Sequence, residues 1–398
     1  MKFSFPKMIT KCKYLFSILV CLLLLHCKEA YQPPAIANAP NYLVVEGFIN
    51  TNETSYIYLS RTVNLKDTIN FSPESNASLY LEDEQNSSLS FVDQGNGRYT
   101  LNPFGLKVNK KYQLRIKTST KEYLSDFVEA QNSPKIDSIN YKIQNKGVQF
   151  FANTNDPTNL TKYYRWDFEE TWLYKSLYDS KIEYKNSELV FRDINNSIYR
   201  CWRTEKSKNI IVGSSANLST AVLVDNPINF VSAASGKISF GYSILVRQYA
   251  LSKEAFDYWQ NLKKNTEQLG SIFDPQPSLA SGNIHCVNNP LEPVIGYLSA
   301  SNVSSLRKYF DNRSLPFDAP SYLGPPNRSD CDTLKVMISP EATFASRTAL
   351  IFTSGNFFPT EPIAIPGIGI IGYTYSSKDC VDCRLKGGTS IKPSFWPY

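Results

Sequence analysis

The chain has 398 residues and a formal net charge of +6, and 42% of its residues are hydrophobic and 13% aromatic. The first 26 residues contain four lysines and no acidic residue, so the rest of the chain carries +2, which is 6 less 4. A nearly neutral chain argues against nucleic acid as the main partner. The length allows two or three domains, and the aromatic residues with 23 prolines favour a strand-rich fold outside the cytoplasm.

The N-terminus has the features of a secretory signal. Four lysines come before an apolar run over residues 14–25, and Cys27 follows directly after His26. This run is too short for a spanning helix, and the cysteine indicates a lipoprotein signal. We therefore predict a signal peptide over residues 1–26, lipidation of Cys27, and an extended tether over 27–41. A plain secretory signal cut elsewhere is the alternative, because His26 is larger than the small residues usual before the cysteine.

Residues 42–132 show the pattern of a small β-sandwich of immunoglobulin or transthyretin type. The segment 43–49 is strongly apolar, and alternation of apolar with polar residues follows at Ala77, Leu79 and Leu81 and again over 112–116. Alternation of this kind is typical of half-buried strands, and Gly95 and its neighbours predict a turn. Five to seven short strands in about 90 residues suit a sandwich.

Residues 133–398 are predicted to form a larger β-rich domain with one long amphipathic helix. Tyr164, Trp166 and Phe168 alternate with polar residues, so we expect them to face a core while Arg165, Asp167 and Glu169 face away. The helix is expected near 252–269, with Ser252 as its N-cap and Gly270 after its end. A shorter helix is predicted near residues 303–310. The overall fold class is therefore mainly β.

Five cysteines remain once the signal is removed and Cys27 is lipidated. In an oxidising compartment they predict up to two disulfides and one free thiol. The preferred pairing is Cys201 with Cys286, and Cys331 with either Cys380 or Cys383, although spacing does not fix connectivity. A zinc site of Cys380, Cys383, His285 and Cys286 is the alternative.

No familiar catalytic motif is present, and no metal or cofactor is predicted. His285 is the only histidine after the signal, and it adjoins a cysteine, which suits a structural loop better than a general base. Asp167, Glu169 and Glu170 are neighbouring acids of the kind that a glycosidase uses, but on a sandwich strand they more often face solvent. Two polar loops, residues 82–86 and 153–156, could bind calcium but have ordinary turn composition.

Four residues are candidate ligand or partner contacts. Trp172 and Trp396 lie outside clean alternation and are therefore predicted to be exposed. Asp274 and Gln276 belong to a proline-rich loop, residues 273–283, which would present its side chains at low entropic cost. A simple connector is the alternative for this loop.

Several segments together resemble a family of Bacteroidota lipoproteins filed as a domain of unknown function. The most specific are the segment 270–277 leading to Cys286, and the segment from Cys380 to Cys383 followed by Gly387 and Trp396; further matching stretches lie at 43–50, 59–62, 163–166, 201–202 and 242–252. The resemblance covers nearly the whole mature chain. It implies a partner of a TonB-dependent outer-membrane receptor, beside which such proteins are often encoded, and it carries over no catalytic residue.

We therefore predict a non-enzymatic protein held at the outer membrane by its lipid, located at the cell surface, with the periplasmic face as the alternative. Its predicted role is that of an accessory or ligand-binding subunit of a TonB-dependent receptor in nutrient uptake. A surface hydrolase acting on a nutrient polymer is the main alternative. A structural or adhesin-like lipoprotein is the third.

Overall fold

The computed structural model describes residues 41–63, 71–144, 146–267, 282–311, 313, 331–338 and 343–397. The predicted signal peptide, Cys27 and all but the last residue of the tether lie outside these ranges. Residues 42–62 and the described residues from 71 onwards belong to one compact unit. Among the described residues, none of the helices combines the length and apolar character that crossing a bilayer requires.

The N-terminal part of the chain folds into short strands that alternate buried and exposed side chains. In β8, for example, Tyr112, Leu114 and Ile116 are buried while the residues between them are not, as the sequence predicts. The strands are β1 (Leu43–Asn50), β2 (Ser55–Arg61), β3 (Ser72–Pro73), β4 (Ser78–Asp83), β5 (Ser88–Ser90), β6 (Val92–Asp93), β7 (Arg98–Leu101), β8 (Lys111–Lys117), β9 (Glu122–Ser125) and β10 (Val128–Glu129).

The next part contains longer strands. In β13, Tyr164, Trp166 and Phe168 are buried and Arg165, Asp167 and Glu169 are not, which confirms the predicted orientation. The strands are β11 (Ile136–Gln144), β12 (Gly147–Asn155), β13 (Tyr163–Lys175), β14 (Ile182–Lys185), β15 (Glu188–Phe191), β16 (Arg200–Lys206), β17 (Ile211–Ser214), β18 (Val222–Ser232) and β19 (Tyr242–Leu251), with short 3₁₀ turns at Ile194–Asn196 and Ala233–Ser235.

The C-terminal part of the chain contains both helices and strands. They are α1 (Lys253–Glu267), β20 (Ile284–Cys286), β21 (Ala300–Ser301), β22 (Val303–Phe310), β23 (Leu334–Met337), α2 (Thr343–Phe352), β24 (Phe357–Ile365), β25 (Gly369–Ser377) and α3 (Lys378–Val381), followed by a 3₁₀ turn at Cys383–Lys386. The Ser252 hydroxyl accepts a hydrogen bond from the Ala255 N–H at the start of α1, as expected of an N-cap.

Two sheets share a core and form the first sandwich. One has the order β21-β1-β2-β7-β6 with β3 beside β2, and the other β20-β9-β8-β4-β5 with β10 beside β8. Strand β21 runs parallel to β1, and β20 pairs antiparallel with β9. The buried core includes Ile284, Cys286, Leu298 and Ala300 beside the N-terminal residues. The sandwich therefore includes strands from residues 284–301, which the predicted boundary at residue 132 assigned elsewhere.

Two further sheets share a second core. The first has the order β11-β12-β18, and the second has the order β16-β13-β19-β22 with β17 beside β13. Phe150 from one sheet, and Trp166 and Phe310 from the other, are buried together in this core. We call this pair of sheets the second sandwich. The remaining sheets of the described residues are the two-stranded sheet β14-β15 and the three-stranded sheet β23-β25-β24 in the C-terminal part of the chain.

The structure corrects one prediction about helices and contains one helix that was not predicted. Residues 303–310, predicted as a short helix, form β22, which pairs with β19 along its length from Tyr249 opposite Val303 to Tyr242 opposite Phe310. This pairing places Phe310 in the second core and outweighs the weak helical spacing of the apolar residues. The ten-residue helix α2 was not predicted.

Candidate functional site

Two clefts lie between β1 of the first sandwich and the outer face of β13 and β19 in the second. The aromatic cleft, of about 430 Å³, is bordered by β1, α1 and residues 295–297. The charged cleft, of about 350 Å³, is bordered by β1, β2, β13 and β19. Phe48 lines both of them, so the clefts are neighbours on one surface.

Three aromatic side chains form one side of the aromatic cleft. Tyr258 and Trp259 are adjacent on α1, and Tyr297 faces them from the segment before β21. The ring centroids of Tyr258 and Tyr297 are 5.0 Å apart, and those of Tyr258 and Trp259 are 5.7 Å apart. Clustered rings of this kind provide flat apolar surfaces on which a ligand can stack.

Arg165 lies between two aromatic rings at the cleft. Its guanidinium carbon is 4.5 Å from the ring centroid of Tyr249 and 4.5 Å from that of Trp259. A cation over aromatic faces at this distance is attracted to them by about 0.5–2 kcal/mol. The stacking holds a positive charge against the lining of the aromatic cleft.

The indole of Trp259 retains an unused hydrogen-bond donor. Its Nε1 atom is buried and has no hydrogen-bond partner in the structure, although the residue as a whole is only half-buried. A buried donor without an acceptor costs about 1–3 kcal/mol.

Glycine is required where the backbones meet at the floor of the aromatic cleft. Val45 N–H donates to the Ile295 carbonyl at 2.8 Å, and Ile295 N–H donates to the Leu43 carbonyl at 2.9 Å. Gly296, with φ at +139°, follows, and a Cβ there would lie 2.2 Å from the Val45 carbonyl oxygen. Any larger residue would push the segment 295–297, including Tyr297, away from β1.

The charged cleft contains a network centred on Asp167. The Tyr249 hydroxyl donates to Asp167 Oδ2 at 2.6 Å, and Arg247 Nη1 lies 3.5 Å from Asp167 Oδ1. Burial raises the pKa of Tyr249, and the nearby Asp167 charge raises it further. Tyr249 therefore remains a neutral donor at physiological pH.

The predicted acidic residues do not form a catalytic pair. Arg247 contacts Asp167 and also lies 3.9 Å from Glu169, which Arg307 approaches at 3.6 Å. Glu170 is buried on the opposite face, where its carboxylate accepts hydrogen bonds from Lys237, the Tyr242 hydroxyl and the Asn229 amide. These carboxylates are thus occupied by ion pairs and hydrogen bonds within the fold.

The predicted exposure of Trp172 and Trp396 is wrong. Trp172 is 8% exposed and Trp396 4% exposed. The Lys237 ammonium covers the Trp172 ring at 4.4 Å, and Trp396 packs edge-on against Tyr309, with ring centroids 5.2 Å apart. Both indoles contribute to packing rather than to a contact surface. Asp274 and Gln276 lie outside the described residues, and of their loop only Gly282 and Asn283 are described.

Two disulfides and one free thiol are present among the described cysteines, as the sequence predicts. Cys201 pairs with Cys383, and Cys331 pairs with Cys380. The expected bond between Cys201 and Cys286 is wrong, because Cys286 is buried in the core of the first sandwich whereas Cys201 lies in the second, on β16. The pairing of Cys331 with Cys380 is one of the two predicted alternatives.

The metal alternatives gain no support from the geometry. The described residues contain no group of three or more side chains of the metal-binding types. His285 lies 3.4 Å from Asp126 at an exposed position. In the predicted calcium loops, Glu82 pairs with Arg115, and Asp156 accepts hydrogen bonds from Thr158 and the Thr161 backbone. Burial alone would raise the pKa of Asp156, but these hydrogen bonds outweigh it and lower the pKa.

Sequence reasoning did not identify the residues of the two clefts as a site. The alternation in β13 correctly placed Arg165 on the outer face, and the apolar face of the helix included Tyr258 and Trp259. Nothing local indicated that Phe48 and Tyr297, from distant segments, would join them. The one available signal was an arginine in the middle of an aromatic-rich strand.

The fold and these clefts define a mainly β, disulfide-containing protein with two sandwiches. Residues 28–307 match a family described as "Domain of unknown function (DUF4249)". The match covers more than half of the chain, so the protein belongs to this family, and the predicted membership of a family of unknown function is confirmed.

Comparisons with curated proteins and with solved structures are less informative than the family match. No curated protein matches the chain. Among solved structures, the crystal structure of chicken CNTN1 FN1-FN3 domains is similar at a TM-score of 0.19 and 12% identity, over 54% of this chain. The match spans 64% of the contactin fragment's own length.

Proposed function

We propose that the protein is a lipid-anchored, ligand-binding accessory subunit of a TonB-dependent receptor, acting at the outer membrane in nutrient uptake. The observation that carries the binding role is the aromatic cleft, in which Arg165 is stacked between Tyr249 and Trp259. The cleft joins stacking surfaces and a fixed cation. These are the elements of a binding site rather than of acid–base catalysis.

The chemistry of the cleft favours a ligand with a flat face and hydrogen-bond acceptors. The rings of Tyr258, Trp259 and Tyr297 would cover the flat face, and the Arg165 guanidinium would donate to acceptors at its edge. Glu46 also lines the cleft and could accept from hydroxyl or amide donors. A sugar ring or a short polar peptide has this combination of groups.

The anchor and the partner rest on other observations. Cys27 follows a basic segment and an apolar run, which supports lipidation, and acyl chains on this residue would hold the protein at a membrane. The two disulfides suit an oxidising compartment. The receptor partnership is supported by the resemblance to Bacteroidota lipoproteins encoded beside TonB-dependent receptors.

A pull-down from gently solubilised native membranes tests the partnership. Tagged wild-type protein should recover a TonB-dependent receptor in stoichiometric amount, and a Cys27→Ser variant should lose membrane retention. Recovery of the wild-type protein alone at high yield would refute the receptor role.

Binding in the cleft is tested separately. Purified wild-type protein would be titrated with oligosaccharides and peptides while its tryptophan fluorescence is followed. A ligand found in this way should bind at least about tenfold more weakly to Trp259→Ala, a loss of about 1.4 kcal/mol. Phe191→Ala serves as the control, because Phe191 is a 68% exposed aromatic residue outside the cleft lining. Equal affinities in both variants would place the ligand elsewhere.

A surface hydrolase remains the second candidate because of one feature of Asp167. Asp167 lines the charged cleft, and its buried Oδ1 atom accepts no hydrogen bond, although Arg247 Nη1 lies 3.5 Å from it. Hydrolysis of a nutrient polymer that disappears in Asp167→Asn would favour this function over the receptor role. A protein with neither hydrolysis nor a stoichiometric receptor would be the predicted structural or adhesin-like lipoprotein.

A further inference from the structure

The β24–β25 hairpin ends in an aliphatic segment, residues 363–371, which we call the isoleucine tip. It contains five isoleucines, one alanine, one proline and two glycines, and no side chain that carries a charge or forms hydrogen bonds. Ile368 is 73% exposed, Ile365 41% and Ile370 39%. Exposed aliphatic residues clustered in this way indicate a surface that is covered when the protein works.

Part of the tip backbone is hydrogen-bonded internally. Ile368 N–H donates to the Ile365 carbonyl across the turn, at 3.1 Å, and Ile365 lies opposite Gly369 in the ladder. Pro362 and Pro366 have no N–H to leave unpaired at the outer edge. The Ile371 carbonyl accepts from Ile338 at 2.8 Å. These features reduce the cost of moving the tip out of water.

The residue types of the β24–β25 hairpin change along its length. Beyond the isoleucine tip, Tyr373 and Tyr375 follow on β25, and both are half-buried. Lys335 lies opposite Thr374 on β23, and Lys378 follows directly after β25. Lys335 is thus level with the two rings, and Lys378 lies beyond them. An aliphatic end followed by a zone of aromatic rings and lysines is the order that membrane proteins show from the hydrocarbon to the interface.

A protein partner would suit this tip less well than lipid. Protein interfaces concentrate their binding energy in Trp, Tyr and Arg, and the tip contains none of these. Its lack of charge and of hydrogen-bonding side chains matches an occupant that has neither, namely acyl chains. From Tyr373 to Ile368 the strand extends about 16 Å, roughly half of a 30 Å hydrocarbon core.

We propose that the isoleucine tip inserts into one leaflet of a lipid bilayer. The exposed side chains of Met337 and Ile338, both at 44%, continue the apolar surface beside it, because Met337 lies opposite Gly372 and the Ile338 N–H donates to the Ile371 carbonyl. Insertion would give the protein a membrane contact in its folded C-terminal part, and this contact requires neither the receptor nor a ligand in the cleft.

Quenching by brominated lipids tests the insertion. The full-length protein, purified in detergent, would be reconstituted into phosphatidylcholine–phosphatidylglycerol vesicles with or without brominated acyl chains. Ile368→Trp adds one indole at the tip to the five native tryptophans. Bromine should quench about half or more of the added emission, because the indole would lie within the acyl chains. Phe104→Trp is the matched control, since Phe104 is 89% exposed on the first sandwich, and its added emission should remain.

Flotation of the same vesicles keeps this test separate from the lipid anchor. Protein that floats while the added emission of Ile368→Trp is unquenched would overturn insertion and leave the anchor intact. Quenching of Ile368→Trp and of a second variant, Ile365→Trp, with Phe104→Trp unaffected, would support insertion even if no receptor is recovered from native membranes. Equal quenching of tip and control variants would also overturn the proposal.

Discussion

Phe48 and Tyr249 meet edge to face, with ring centroids 4.7 Å apart and an angle of 85° between the rings. Phe48 belongs to β1 of the first sandwich, and Tyr249 to β19 of the second. This contact separates the aromatic cleft from the charged cleft. One side of Tyr249 is thus engaged by Phe48 while its ring also receives the Arg165 cation and its hydroxyl donates to Asp167.

Truncation of Phe48 should weaken the junction between the sandwiches. Phe48→Ala removes the ring contact and part of the buried area, so we expect the free energy of unfolding to fall by about 1–3 kcal/mol. Urea unfolding followed by circular dichroism measures this. Phe104→Ala, at an 89% exposed position, should change stability by less than about 0.5 kcal/mol. Equal losses in both variants would contradict the assigned role.

Removal of the buried carboxylate of Glu170 should lower the free energy of unfolding. Glu170→Gln would leave the Lys237 ammonium with a weaker partner, and we expect a loss of about 3 kcal/mol in unfolding free energy. The double variant Glu170→Gln/Lys237→Met should lose less than the sum of the single changes, because the two groups form one pair. Chemical denaturation of all four proteins measures the coupling, and strict additivity would show that the pair is unimportant.

Stability should also depend on pH through Glu205 and Lys237. Hydrogen bonding to Lys237 lowers the pKa of Glu205 below its ordinary value of 4.5. The stability that Glu205 contributes to the fold is therefore present above pH 4.5, and it is lost as the pH falls through the lower pKa that Glu205 has in the folded state. Burial alone would lower the pKa of Lys237, but its hydrogen bonds to Glu170 and Glu205 raise it above 10.5. The stability that Lys237 contributes is lost only as the pH rises through this raised pKa.

The corresponding measurement is urea unfolding of the wild-type protein and of Lys237→Met at neutral pH and near pH 3.5. The difference in stability between the two proteins should shrink at the acidic pH. A constant difference would contradict the assigned link between Glu205 and Lys237.

The two disulfides should differ in their contribution to stability. The bond between Cys201 and Cys383 spans 182 residues, and the bond between Cys331 and Cys380 spans 49. Loop-closure entropy gives about 5 kcal/mol for the longer loop and about 4 kcal/mol for the shorter one. Paired serine variants should therefore lower the midpoint of denaturation in that order. Peptide mapping of the oxidised protein should find Cys286 unpaired, and a Cys201–Cys286 peptide would contradict the assignment.

Gly296 should tolerate no side chain. Gly296→Ala would place a Cβ 2.2 Å from the Val45 carbonyl oxygen, in addition to the strain of its positive φ. Gly105→Ala is a control for that strain alone, because Gly105 has φ at +81° and nothing within 4 Å of the added carbon. We expect a cost of about 1 kcal/mol at Gly105 and a larger one at Gly296, measured by thermal unfolding. Equal costs would mean that the segment at 296 moves freely.

Local sequence patterns predicted the individual strands and helices better than they predicted how those elements pair into sheets. The alternation through Tyr164, Trp166 and Phe168 identified the orientation of a central strand, because a strand's side chains depend only on its own period. The same reasoning failed for Val303–Phe310, where pairing with β19 decided the structure. Apolar spacing over eight residues carries too little information to outweigh such a partner.

The candidate site was largely beyond prediction because its parts are distant in the sequence. Phe48 and Trp259 are separated by more than 200 residues, and no local period links them. The burial of Trp172 and Trp396 was missed for the same reason, since their covering groups, Lys237 and Tyr309, come from other segments. Cys286 was paired wrongly because its strand belongs to the first sandwich.

The placement of β20 and β21 in the first sandwich also sets an order of assembly during synthesis. Strands β1 to β10 are made first, yet Ile284, Leu298 and Ala300, which complete their core, emerge only after the whole of β11 to β19. A nascent chain halted before residue 284 would leave the edges of β1 and β9 unpaired and open to pairing with other chains. Synthesis of the first sandwich thus begins before that of the second. It ends only after all strands of the second sandwich except β22 have been made.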